Sequence, residues 1–369
     1  MKATQAATTQ APIALTMGDA AGIGPEIIVR LFQRHPDWSQ RCVVIGSGAA
    51  LRRAAQLLGG APIAELADPL EAANVPPGAI PLWPVVELHE PLPPWGQVNA
   101  AAGRAAAEAV ERAAQAALRG EVAAVVTAPL SKAALAAAGV PYPGHTELLQ
   151  AVAARHLGVP VEQLPVRMML SNRDLRTVLV SIHVPLRQAL DWVTGQRLDE
   201  TLRLTHVHFT RVLGWGRCRI AVAGLNPHAG EGGLLGREEL DIIAPAVERA
   251  RAAGMDVHGP LPADTVFWRA RQGEFDVVVA QYHDQGLIAI KSTGLADGVN
   301  STLGLPFVRT SPDHGTAFDI AGRGCADPAS MEAAVQAAWQ ALASGRHAPS
   351  VPLAASRPET PPHLPLQCP

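Results

Sequence analysis

Three histidines each lie at or just past the end of an apolar run that reads as a β-strand: His183 in LVSIHVPL, His228 in IAVAGLNPHAGEGG and His283 in FDVVVAQYHDQG. In an open α/β sheet, ligands collect outside the carboxyl ends of the strands. Three imidazoles delivered there can hold one divalent cation and leave coordination positions open, the layout of a catalytic rather than a structural site. The chain has 13 His, and any one of them alone reads as an ordinary hydrogen-bonded residue. The argument rests on three standing in the same relation to three strands. Imidazole ligands suit Zn or Co, and Mg carrying extra waters is compatible.

Other residues could meet an anionic substrate. GHTE (Gly144–Glu147) sets His145 and Thr146 at a helix start, where free N–H groups and the helix dipole attract phosphate. Plain capping by Thr146 is the alternative. Lys291, Asn300 and Arg309 follow His283 inside the apolar segments LIAIKST, GVNSTLG and LPFVRT. Lys and Arg are seldom buried without an anionic partner, and a phosphorylated, carboxylated substrate supplies two. Solvated loop charges are the plain alternative. TMGDAAGIGPE packs Gly18, Gly22 and Gly24 into a strand-to-helix turn, suited either to an anion or to tight turning with no ligand. VVIGSGAAL lacks the third glycine of a dinucleotide fingerprint and is not one. Lys132, Asp264 and Asp284 are candidate proton carriers that sequence does not rank.

These residues need a scaffold. At 369 residues the chain exceeds what one core holds, so two domains are expected. Apolar strands alternate with helices, the pattern of an α/β protein with a largely parallel sheet. Strands are expected at Pro12–Thr16, Arg41–Ile45, Val122–Thr127, Val166–Leu170, Thr177–Ile182, Arg219–Gly224 and Phe275–Ala280. Helices are expected at Pro25–Arg34, at Ala100–Arg119 between an Asn99 cap and a Gly120 stop, from Gly144 to Gly158, and around Leu198–Leu213. A net charge of −3 gives no electrostatic case for nucleic acid or an anionic membrane. Cys42, Cys218, Cys325 and Cys368 form no CxxC pair, which fits a reducing compartment. No run reaches the ~20 apolar residues of a bilayer span, and the polar start has no secretory core, so a cytoplasmic location is expected.

The segment DHGTAFDIAGRGCADP (Asp313–Pro328) resembles the loop of isocitrate and isopropylmalate dehydrogenases that wraps the adenosine of the nicotinamide cofactor. The resemblance puts His314 near adenine and Asp319 at the ribose hydroxyls, which favours NAD, with NADP also compatible. Phe318 departs from it, standing where those relatives usually carry proline. TMGDAAGIGPE, GHTE, SIHVPL, GLNPHAGEGG, YHDQGL and GLPFVRTSPDHGTAFDIAG together closely resemble the 4-hydroxythreonine-4-phosphate dehydrogenase family of pyridoxal phosphate biosynthesis. The likeness runs from Ile13 to about Ala343. Ala20 stands where a proline is common.

This resemblance implies an isocitrate/isopropylmalate dehydrogenase-like fold of two α/β/α domains. The first would take 1–145 plus 302–345 and the second 146–301, with a poorly ordered Pro-rich tail over 346–369. It also implies a homodimer with the active site at the interface. His183, His228 and His283 would be metal ligands, with His283 the candidate lent by the neighbouring subunit. His145, Thr146, Lys291, Asn300 and Arg309 would bind substrate. The implied reaction is metal-dependent, NAD(P)-linked oxidation of 4-phosphohydroxy-L-threonine to 2-amino-3-oxo-4-phosphooxybutanoate, which decarboxylates to 3-amino-2-oxopropyl phosphate. A paralogue acting on another phosphorylated hydroxy acid, such as 4-phosphoerythronate, is the nearest alternative. A three-histidine zinc hydrolase, or a non-catalytic binder of phosphorylated acids, would leave part of this set unexplained.

Overall fold

The computed structural model describes residues 11–294 and 297–343, so the tail expected over 346–369 lies outside the described residues. Strands β1 (Ile13–Thr16), β2 (Cys42–Gly46), β3 (Ile63–Glu65), β4 (Ile80–Pro84) and β5 (Ala124–Thr127) open the chain. Helices α1 (Gly24–Arg34), α2 (Gly48–Leu57) and α3 (Ala100–Leu118) lie between them. Next come α4 (Lys132–Ala137), α5 (His145–Leu157), β6 (Arg167–Ser171), β7 (Arg176–Leu179), α6 (Leu186–Asp191) and α7 (Gly195–Val207). They are followed by β8 (Ile220–Ala223), α8 (Ala244–Ala252), β9 (Val257–Leu261), α9 (Ala263–Arg271), β10 (Val277–Ala280) and α10 (His283–Lys291). The described chain closes on β11 (Val299–Leu303), β12 (Val308–Pro312) and α11 (Ala329–Ala343).

Local chemistry sets the helix limits. Asn99 Oδ1 accepts from Ala101 N at 2.8 Å and Ala102 N at 3.1 Å, starting α3 as expected. Gly158 ends α5 in the left-handed region, φ 68°. The helix expected around Leu198–Leu213 starts earlier, because Thr194 Oγ1 caps Arg197 N. Its last part, His208–Val212, relaxes into a π-helical turn. Thr201, Thr205 and Thr210 each donate to the carbonyl four residues back, which bends a helix.

All strands join one sheet in the order β3-β4-β2-β1-β5-β12-β11-β6-β7-β10-β8-β9. Pairing is parallel except where β11 meets β12 and β6, and where β6 meets β7. The strands β7, β10 and β8 are therefore adjacent and parallel, and the loops carrying His183, His283 and His228 leave the sheet along one edge.

Alternation along the strands divides the core into two faces. Leu15, Val44 and Val126 pack with α1, α2 and α11 on one face, continued by Val178, Val222 and Val279 with α7 and α8. The other face packs Ala14, Val43 and Val125 on α3, and Val278 and Ala280 with α9 and α10. The result is an α/β/α sandwich with a mostly parallel sheet. The helical layer does not break at 145/146, because Leu148, Leu149 and Val152 of α5 bury against Ala107, Val110 and Ala114 of α3. The 301/302 boundary falls inside β11, whose Val299 joins the first core and Leu303 the second.

Candidate active site

His183 and His228 both adopt φ near +50°, in the left-handed region. Such a conformation costs a non-glycine residue about 1–3 kcal/mol and persists only where its surroundings over-determine it. The His183 and His283 rings stand side by side, with centroids 5.6 Å apart. Two imidazoles sharing a tetrahedral cation at about 2.0–2.1 Å would have centroids roughly 5–6 Å apart, so the pair fits a metal. Asp284 Oδ1 lies 2.7 Å from His283 Nδ1, which leaves Nε2 free to face an ion. Burial, reinforced by Lys132 and His283, lowers the His183 pKa, favouring the neutral, ligating form.

The third imidazole does not join them. Among the described residues, no three His, Cys, Asp or Glu side chains of one chain group as a metal site. Within one chain His283 sits beside His183, and His228 is the member left apart. Its turn is nevertheless tied to α10, since Gln281 Nε2 donates to Ala223 O at 2.7 Å and Gln285 Nε2 to Gly224 O at 2.8 Å.

A second cluster surrounds Arg309, which is 3% exposed in the middle of the sheet rather than on a loop. Register places Arg309 opposite Val125 of β5, with Asn300 opposite Ser311 two residues along, so Arg309 and Asn300 share the α3–α10 face. The guanidinium donates to Thr127 Oγ1 at 2.7 Å and Thr302 Oγ1 at 3.0 Å, while its Nε has no partner. Among the described residues, no carboxylate hydrogen-bonds it. Burial pushes its pKa down to about 10, against the opposing field of Glu147. His145, at the start of α5, has an Nε2 sealed from solvent with no hydrogen-bond partner. Burial, then the Arg309 charge, hold its pKa well below 6.5. A buried cation and an orphaned ring nitrogen, at the start of the helix that also carries Thr146, are groups that could hold an oxyanion.

Lys132 and Glu147 link the two clusters. A Cβ on Gly144 would lie 3.5 Å from Glu147 Oε2 and 3.9 Å from Lys132 Cε. The lysine acts electrostatically on His183, and the glutamate on both His183 and Arg309. Glu147 was missed as a site residue; the signal was a carboxylate in the first turn of the helix that begins with His145 and Thr146. Of the proton-carrier candidates, Lys132 borders His183, Asp284 orients His283, and Asp264 is exposed in the first turn of α9. Lys291 stands at the other end of α10 from His283, about 12 Å along the helix, paired with Asp313 at 2.9 Å.

The glycine-rich turn resolves as packing. Its N–H groups are used within the chain: Asp19 N donates to Pro129 O, Ala21 N to Asp19 Oδ1 and Ile23 N to Thr316 O. A Cβ on Gly18 would lie 2.3 Å from Pro129 O, and one on Gly22 2.9 Å from Thr316 O. Buried Glu26 then accepts from Gly322 N and, at 3.0 Å, from Gly324 N. This braces the loop on which His314 and Asp319 stand exposed.

Among the described residues, no helix is long and apolar enough to cross a membrane. The family described as pyridoxal phosphate biosynthetic protein PdxA matches residues 38–338. A 4-hydroxythreonine-4-phosphate dehydrogenase of Beijerinckia indica is 51% identical over 324 residues, 88% of this chain and 93% of that protein. A D-threonate 4-phosphate dehydrogenase of Salmonella typhimurium is 46% identical over 335 residues, 89% of this chain and 98% of that protein. The solved structure of a 4-hydroxythreonine-4-phosphate dehydrogenase from Klebsiella pneumoniae has a TM-score of 0.81 at 44% identity, covering 90% of this chain and 98% of that one. The chain therefore belongs to the PdxA family of pyridoxal phosphate biosynthetic proteins.

Proposed function

We propose that the protein is a cytoplasmic, NAD(P)-linked, divalent-metal-dependent dehydrogenase that oxidises 4-phosphohydroxy-L-threonine in pyridoxal phosphate biosynthesis. The product, 2-amino-3-oxo-4-phosphooxybutanoate, then loses CO2 to give 3-amino-2-oxopropyl phosphate. The observation that carries this reading is the juxtaposition of the Arg309–His145 subsite, with its orphaned Nε and Nε2, to the paired His183 and His283 rings. An anionic substrate end at Arg309, His145 and Thr146 would sit beside a cation-binding imidazole pair, with Lys132 and Glu147 between. Zn, Mg or Co held there would polarise the secondary alcohol, and the nicotinamide would accept the hydride.

The chain's own groups supply the rest. Arg309 grips an oxyanion by point charge and directed N–H donors, and Asn300 lies on the same face to meet the remainder of the substrate. Lys132 is the best-placed group to hold the alcohol proton, and Asp284 fixes the His283 tautomer. Lys291, paired with Asp313, would reach substrate by exchanging that partner. His314 and Asp319 would meet the cofactor's adenosine from the loop braced by Glu26.

A second copy of the chain would complete the site. His228 lacks its two fellow ligands within one chain, and large apolar side chains are exposed on the segments after all three histidines. Leu234 is 84% exposed and Ile288 67%, with Leu186 and Leu190 beside them in this respect. A second copy docking along the edge where β7, β8 and β10 end would cover them.

Relatives named D-threonate 4-phosphate dehydrogenase match at 46% identity and support a second reading, a phosphorylated hydroxy acid without the amino group. Purified protein offered 4-phosphohydroxy-L-threonine, D-threonate 4-phosphate and 4-phosphoerythronate in turn, with NADH absorbance followed with and without added Zn, Mg or Co, separates these readings. Metal-dependent turnover of the first compound is expected. Turnover of only the other two reassigns the substrate, and turnover unaffected by metal rejects the metal-site reading.

A further inference from the structure

Glu239 is 2% exposed and, among the described residues, has no cation as a bonded partner. A buried carboxylate is unfavourable unless its oxygens are satisfied by donors. Here Oε1 accepts from Leu225 N and Asn226 N, both at 2.7 Å, and Oε2 accepts from Asn226 Nδ2 at 2.9 Å. All three donors belong to the short stretch between β8 and His228. The packing leaves no slack: a Cβ on Gly230 would lie 2.7 Å from Glu239 Oε2, and one on Gly236 2.3 Å from Asn226 Nδ2. Beyond this clamp, His228, Ala229, Gly230, Glu231 and Gly232 all have positive φ (51°, 52°, 81°, 44° and 66°). Three of those five are not glycine, so the turn must be held from outside.

We infer that Glu239 is a positioning residue for His228: its carboxylate fixes the strained turn and so the direction in which the imidazole is presented. This rests on His228 being a metal ligand. The two oxygens of a carboxylate accept from all three N–H groups, whereas a glutamine would set its own N–H donors against at least one of them. Glu238 accepts from the Asn226 side chain at 2.7 Å and from the main chain of Arg237 and Glu238, outside the 225–233 turn, and serves as the control.

The test compares full-length wild type with Glu239→Gln, Glu238→Gln and His228→Ala, at a temperature where circular dichroism shows each folded. Hydrogen exchange of the 225–233 segment is measured on metal-free protein, and Zn affinity by chelator competition. Glu239→Gln is expected to speed exchange across the segment and weaken Zn binding about 10–100-fold, the usual effect of losing a group that orients a ligand. Glu238→Gln should change neither by more than about threefold. Wild-type Zn affinity in Glu239→Gln, alongside weakened binding in His228→Ala, overturns the inference. Equal affinity of wild type and His228→Ala overturns the metal reading beneath it. Should Glu239→Gln not fold, Asn226→Ala takes its place, and unchanged Zn affinity there overturns the inference as well.

Discussion

Among the described residues, Arg309 is a buried cation hydrogen-bonded only to the neutral hydroxyls of Thr127 and Thr302. A buried charge whose nearest anion, Glu147, acts only through space destabilises a fold, so its presence points to a ligand rather than to stability. Arg309→Met is therefore expected to keep or raise Tm while KM for the phosphorylated substrate rises more than about 100-fold, as for loss of a buried charge-assisted contact. A fall in Tm with KM unchanged would make Arg309 structural. The pairing of arginine with threonines was beyond sequence reasoning, because Thr127, Thr302 and Arg309 lie on three strands brought together only by the sheet order. His183 and His283 were legible, since each follows a short, continuous apolar run.

His208 shows what an element can impose on a side chain. In the π-helical turn after α7 it packs edge-on against Phe209 at 5.5 Å, and burial lowers its pKa to about 4 from 6.5. With the folded value below the unfolded one, the unfolded chain takes up the proton first. Stability is thus unaffected above pH 6.5 and falls as pH drops from 6.5 towards 4, by at most about 1.4 kcal/mol per pH unit. His208→Gln should flatten the dependence of Tm on pH in that window, and an unchanged slope would assign it to other groups. The sequence predicted a helix through this point but not its π distortion, beside which the Thr210 hydroxyl bonds back along the helix. The strands β11 and β12 were also hidden, because Asn300 and Arg309 look like loop residues until the sheet pairs them.

At the scale of the molecule, the exposed Leu186, Leu190, Leu234 and Ile288 and the unpartnered His228 all lie on segments that follow β7, β8 and β10. Light scattering after gel filtration should give twice the 38.6 kDa chain mass. Leu234→Glu combined with Ile288→Glu should shift the protein towards monomer and lower metal affinity with it, because the charges would have to be buried at the association surface. A monomeric wild type that still binds Zn through three histidines would refute the shared site.

The strands β1, β2, β5, β6, β7, β8 and β10, the cap at Asn99, the stop at Gly158 and the placing of three histidines after strands were written in local residue patterns. Hydrophobic periodicity and end-capping act over a few residues, and a single chain displays them directly. Which histidines meet, that Glu147 and Lys132 lie between the imidazole pair and Arg309, and that the glycine-rich turn packs against its own chain depend on contacts between distant segments. Those were decided by the reversal of strand direction at β11 and β6 and by the stacking of α5 and α10 on one face, neither of which has a local signature in the amino-acid sequence.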